Sequence, residues 1–137
     1  MTVSQYIVNL LKNYEGIEID TNHVSDGSDK YGLFKSPSRN IKNFNDSSYE
    51  ITEYYQFLAR QKTVSKSERK EADEWLEDLT YWVDDLAVDY QLPDLGKGRT
   101  VTGVSITGCP YPLETENKDT MYQMSLSITY LREREVL

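Results

Sequence analysis

SKSERKEADEWLEDLTYWVDDLAVDYQLPDLGKGRTVTGVSITG (residues 65–108) and TMYQMSLSITYL (residues 120–131) decide how this chain folds. In the first stretch Ala72, Trp75, Leu76, Leu79, Trp82, Val83 and Leu86 recur at spacings of three and four, which puts them on one face of a helix. Ser65 and Glu68 spell S-x-x-E, a capping box at the helix start. The acidic first turns suit the positive end of the helix dipole, and Pro93 stops the helix. Running to about Tyr90, it would be roughly 39 Å long at 1.5 Å per residue. The link LPDLGKGR leads into a strand from Thr100 to Gly108, with Val104 and Ile106 facing one way and Ser105 and Thr107 the other. Cys109 to Lys118 reads as a long loop. The last strand sets Tyr122, Met124, Leu126, Ile128 and Tyr130 against Gln123, Ser125, Ser127 and Thr129, a period of two that buries one face.

Upstream, Val3, Tyr6, Ile7, Leu10, Leu11 and Tyr14 give one buried helical stripe, with Thr2 or Ser4 as cap and Gly16 as terminator. Ile17 to Val24 alternates weakly as a strand, and SDGSDKYG is turn chemistry. Tyr31 to Lys35 reads as a short return strand. Ser36 to Ser48 is polar and without period, the pattern of a mobile loop. Tyr49 to Gln61 has Ile51, Tyr55, Phe57 and Ala59 on one face and Thr52, Tyr54, Gln56 and Leu58 on the other. Bulky groups on both faces mark a central strand, or one covered by a partner subunit.

These elements imply an α+β fold: an antiparallel or mixed sheet of about four to five strands, with an N-terminal helix and one long central helix on one face. The 137 residues read as one domain, spanning 1–137, with no internal repeat and no linker. The net charge of −8 argues against binding nucleic acid through its phosphates and against adsorbing to anionic membranes. A single cysteine excludes an intramolecular disulfide and fits a reducing compartment. No apolar run is long enough for a membrane helix, and the N-terminus lacks signal-peptide features. The expectation is a soluble chain made in a cytoplasm.

Catalytic and metal-binding signals are weak. His23 is the one histidine, so any Ser-His or Cys-His dyad would have to use it. Cys109 would need His23 or a cation beside it to become a nucleophile. Asp20, Asn22, Asp26 and Asp29 suggest a calcium loop, but Ser25 and Tyr31 stand where glycine and glutamate belong. Gly96-Lys97-Gly98-Arg99-Thr100 lacks the spacing of a phosphate loop and sits in the wrong order, helix before strand. It reads instead as a turn that sets cations near the negative end of the helix. Glu71, Asp73, Glu74, Glu77, Asp78, Asp84 and Asp85 crowd the long helix as a solvated face, or as an acidic surface turned to a lumen or a basic partner. The reading is a non-enzyme with no catalytic residue, metal or cofactor.

Four segments in order carry a resemblance: the strand YQFLARQ, the helix motif E-x-x-x-WLEDL-x-x-W, the exit LPDLGKGRTV and the final Y-Q-M-S-L-x-I-x-Y strand. Together they resemble the tail terminator, or tail-completion, family of long-tailed phages and prophages of Gram-positive bacteria, whose members are often labelled minor capsid proteins. The likeness covers nearly the whole chain and is densest from Tyr54 to Leu131. It implies virion assembly without turnover. Such proteins form a ring, typically a hexamer, that caps the tail tube and presents the head-joining surface. The implied partners are further copies of the chain, the tail tube protein and the head–tail connector protein, with no sequence-specific nucleic acid and no membrane. The implied location is the tail or neck of the virion. A strongly acidic ring would let DNA slide through without sticking. Arg39, Asn43, Phe44, Tyr54 and Tyr111 are the candidate interface residues. A head–tail connector or neck protein, and a small acidic inhibitor, are the alternatives.

Overall fold

The capping box expected at residue 65 is formed: Glu68 N–H donates to Ser65 Oγ (3.1 Å) and Ser65 N–H to Glu68 Oε1 (3.0 Å). A second one starts the chain, where Thr2 accepts from Gln5 N–H and the Gln5 side chain accepts from Thr2 N–H. The computed structural model describes residues 1–89, 92–116 and 118–134. Its elements are α1 (Val3–Leu11), β1 (Ile19–Thr21), β2 (Lys30–Asn43), β3 (Ser48–Lys62), α2 (Lys66–Asp89), β4 (Arg99–Glu116) and β5 (Asp119–Glu133). The expected end of α2 near Tyr90 falls outside the described residues.

The strands form one mixed sheet in the order β1-β2-β3-β5-β4. β1 runs parallel to β2, and the other pairs are antiparallel. β3 is thus the central strand, as its two-faced pattern implied. Its alternate residues Ile51, Glu53, Tyr55, Phe57 and Ala59 are buried, and the residues between them are partly exposed. Cross-strand pairing aligns Phe57 with Met124, Tyr55 with Leu126 and Ile51 with Tyr130, so β3 and β5 bury the same side. Leu33 of β2 and Val104 of β4 extend that side outward.

Both helices cover this face. Ile7 and Leu11 of α1 and Leu79 and Val83 of α2 are inaccessible to solvent. Tyr14 packs edge-on against Trp75 at 5.3 Å, and Trp75 stacks on Tyr31 of β2, also at 5.3 Å. The tryptophan stripe therefore joins the two helices to the sheet. The opposite face is polar and laced across strands, with Thr52 against Thr129 (3.0 Å) and Ser125 donating to Gln56 (2.8 Å). No helix among the described residues is long and apolar enough to cross a membrane.

Two expected loops are strands. Ser36 to Asn43 continues β2, pairing Arg39 with Glu53 and Asn43 with Tyr49 after a register shift between Lys35 and Arg39, and only Phe44 to Ser47 turn before β3 begins at Ser48. Pro37 sits in that irregularity, where a residue without N–H is tolerated. The segment is exposed on both sides, so it has no apolar alternation to betray it. Cys109 to Lys118 is likewise not a loop, because β4 pairs with β5 as far as Glu116 opposite Asp119. Bulges break its register at Gly103, Gly108 and before Tyr111 and Glu114. They scramble the period of two on which strand recognition rests. Asn117 of that expected loop is outside the described residues.

Candidate assembly interface

The most distinctive surface is the outer half of the β2–β3 hairpin. Asp46 accepts from Ser48 N–H (3.1 Å) and from its hydroxyl, an Asx turn that closes the tip. Phe44 N–H donates to Ser48 C=O (3.0 Å), so pairing continues to the turn. Residues Pro37 to Asn43 are exposed throughout and form an edge arm of the sheet, while β3 beside them stays paired with β5 as far as Ser48. Near its tip Ile41 is 45% exposed and Phe44 38%; Ile41 shares the face of its cross-strand partner Ile51, and Phe44 lies on the other face with Lys42. The Lys42 ammonium lies over the Phe44 ring at 5.7 Å, with Glu50 across from Lys42 and the Asp46 carboxylate in the turn.

Beside the tip, on the β5 side, the chain is basic. Lys97, Arg99, Arg132, Glu133 and Arg134 line a cavity of about 670 Å³. The Tyr49 ring faces both Arg132 (5.6 Å) and Arg134 (4.8 Å), and Arg132 also donates to its hydroxyl. Arg134 donates to Asn43 Oδ1 at 2.6 Å. Arg99 does not project to a ligand: its guanidinium donates to Gly96 C=O (3.0 Å), Leu95 C=O (3.2 Å) and Met1 C=O (2.7 Å). The Gly96–Gly98 segment has positive φ at all three residues, which explains its glycines. The turn expected after the long helix is formed, with Arg99 tying it to the start of α1.

On the far edge of the sheet, between α2 and β4, lies a cleft of about 230 Å³. Leu76, Tyr81, Cys109 and Pro110 supply its apolar wall, and Asp73 and Glu77 bring carboxylates. Tyr81 donates to Glu77 at 2.8 Å, and that hydrogen bond raises the phenol pKa.

The five candidate residues divide four to one. Arg39, Asn43 and Phe44 lie on the arm, and Tyr54 joins them by accepting from Asn40 Nδ2 at 2.8 Å. Tyr111 stands apart on β4, where it accepts from Gln123 Nε2 at 3.1 Å. Sequence reasoning missed Ile41, Tyr49, Arg132 and Arg134. The turn chemistry of Asn45-Asp46-Ser47, flanked on each side by Ile41 and Ile51, was the available signal for the arm.

His23 and Cys109 are held apart, both exposed, with β2, β3 and β5 between the His23 turn and β4. At about 4.8 Å per spacing, the four spacings from β1 to β4 are roughly 19 Å of sheet. In the acidic turn, Asp20 accepts from Ser25 (3.3 Å), and Ser28 donates to Asp119.

One buried polar cluster escaped the sequence reading. Glu53 is 5% exposed, accepts from Tyr130 and from Tyr55 (3.3 Å), and pairs with Lys35 Nζ at 3.0 Å. Burial alone would raise its pKa, but the Tyr130 hydrogen bond and Lys35 outweigh it and hold the carboxyl below its usual range. Burial pushes Tyr55 up to about 12, and Tyr130 rises as well, for the same reason and through Glu53. Both Glu53 carboxylate oxygens are answered by donors, as a core network requires. No protein-family model and no curated protein matches the chain.

Proposed function

We propose that this chain is a virion assembly protein of a long-tailed phage: a tail terminator that closes as a ring on the head-proximal end of the tail tube and offers the surface to which the head's connector binds. The four ordered segments of the resemblance support this reading. They fall on β3, α2, the Leu95–Arg99 turn and β5, which together form the central packing unit. Such a unit supplies shape and edges, and a ring subunit needs those more than a reactive group.

The observation that carries the proposal is the arm with exposed Ile41 and Phe44 on one side of the sheet and a different surface, the α2–β4 cleft, on the other. A closed ring is built from heterologous contacts, in which each copy presents two unlike surfaces. The exposed outer edge of β2 beyond its three-residue pairing with β1 is suited to such a contact, or to the tube itself.

The test is binding of purified protein to purified tail tubes and to DNA-filled heads, imaged by negative-stain electron microscopy. Rings at one end of the tubes, with bare heads, are expected. Decoration of heads alone would assign the chain to the neck instead, and binding to neither would overturn the assembly reading.

A further inference from the structure

One edge of the sheet is open along a regular stretch. β1 covers β2 only at Tyr31, Gly32 and Leu33. Past the register shift that holds Pro37, residues 39–43 pair with β3 without a break. Phe44 N–H donates to Ser48 C=O, so Lys42 and Asn40, two and four residues back, also turn their backbone groups to β3. Arg39, Ile41 and Asn43 point theirs outward, where no strand meets them among the described residues. Such a row of free N–H and C=O groups is a template for another strand. The opposite edge is not, because bulges break the register of β4 and Pro110 and Pro112 lie in it.

The open row is complementary to itself. An antiparallel copy on a two-fold axis at Ile41 sets Ile41 opposite its own copy, Arg39 opposite Asn43, and Asn40 opposite Lys42. Arg39, Ile41 and Asn43 then each donate one main-chain hydrogen bond and accept another. No charge directly faces a like charge, and Lys42 keeps Glu50 beside it on β3. An axis at Lys42 would set that lysine against itself, and one at Asn40 would set Asn43 against the irregular stretch that holds Pro37. Ile41, 45% exposed on the side of Ile51, gains an apolar neighbour only in the register centred on itself. Arg39 arrives beside Asn43 and the Arg134 that donates to it, so the pairing should tighten as salt rises.

We propose that free copies of this chain pair edge to edge through residues 39–43 of β2, on a two-fold axis at Ile41, joining two sheets into one. The contact is isologous, so it stops at a dimer and builds neither ring nor fibre. So short an interface is weak, and pairing sets in at roughly 0.1 mM. The dimer stands without the ring reading. It occupies the edge assigned above to the ring or the tube, and it keeps that edge covered until assembly separates the copies.

Hydrogen–deuterium exchange of the unaltered chain, followed by NMR, reads the pairing amide by amide. The amides of Arg39, Ile41 and Asn43 should exchange about 3-fold more slowly at about 1 mM than at about 50 μM. Those of Asn40 and Lys42, already turned to β3, should not respond to concentration. A second measurement fixes the axis, in a background where Cys109→Ser removes the one natural cysteine. Mild oxidation of Ile41→Cys/Cys109→Ser should give a cross-linked dimer and nothing larger, because the Cα atoms of a hydrogen-bonded pair lie about 5.5 Å apart, within disulfide reach. Asn43→Cys/Cys109→Ser should stay monomeric, since its two sulfurs would lie roughly 14 Å apart along the strands. Exchange at Ile41 that ignores concentration overturns the proposal, whatever the variants do. So does equal cross-linking at residues 41 and 43, because the copies then do not meet on this axis. Rings on tail tubes from a chain that never dimerises would sink the pairing and leave the terminator reading standing. A dimer whose chain decorates neither tubes nor heads would do the reverse.

Discussion

At the middle of β3 the Glu53 carboxylate sits in the core, held by Tyr130, Tyr55 and Lys35. Its folded pKa lies below the unfolded value of about 4.3, so the folded state binds fewer protons there. The stability it contributes is complete above that unfolded value and is lost as pH falls through the depressed folded one. Thermal melts should be flat in pH near neutrality on this account and should drop below about pH 4, more gently in Glu53→Gln. That variant should cost about 1–3 kcal/mol at neutral pH by leaving donors unanswered in the core. A melt identical to the parent at both pH values would contradict the role. The tyrosines give the opposite sign. Tyr14 and Tyr55 are both raised to about 12, so their contribution is present below about pH 10 and lost as pH climbs toward 12. Tyrosinate absorbance should show a late-titrating group that shifts to the normal range once the protein is unfolded. The alternation of β3 already placed residue 53 on the buried side. What stayed hidden was that a charge there could be satisfied, because its partners lie 77 positions away on β5 and across the sheet on β2.

Among the elements, α2 is the one most fully written in local sequence. Its cap, its acidic first turn and its apolar stripe all point the same way, and the structure forms each of them. Ser65→Ala should lose about 1 kcal/mol in chemical denaturation, and Leu79→Ala, at a fully buried position, about 2–5 kcal/mol. Equal effects from the two would show that α2 is not the core helix described. β2 and β4 were only half legible. Their inner ends carry apolar alternation and were recognised, and their outer ends do not. The arm of β2 has water on both sides, which removes the hydrophobic period, and the bulges of β4 shift it. Pro110 and Pro112 made β4 look like a loop, although an edge strand tolerates them. The candidate site was legible to the extent that Arg39, Asn43, Phe44 and Tyr54 gather on or beside the arm. The cleft was not, because it is made by α2 and β4 meeting across roughly 30 residues of sequence.

For the whole molecule, the order β1-β2-β3-β5-β4 places an arm near one edge and a cleft at the other, with both helices on a single face. The other face sets polar cross-strand pairs beside the half-buried Phe34, Tyr54 and Leu58. This asymmetry is what a ring subunit requires, and the arm is where it is most exposed to mutation. Replacing Ile41 and Phe44 together by Ser should leave the melting transition within a few degrees, since both are exposed. The same double substitution should impair assembly in complementation assays. Loss of folding instead would show that these side chains belong to the core. The central claim, that the chain ends tail-tube growth, is tested most directly by the lengths of tails made without it. Electron micrographs of lysates from the parental phage lacking this protein should show overlong or irregular tubes and no joined heads. Tails of normal length beside unattached, filled heads would contradict the claim.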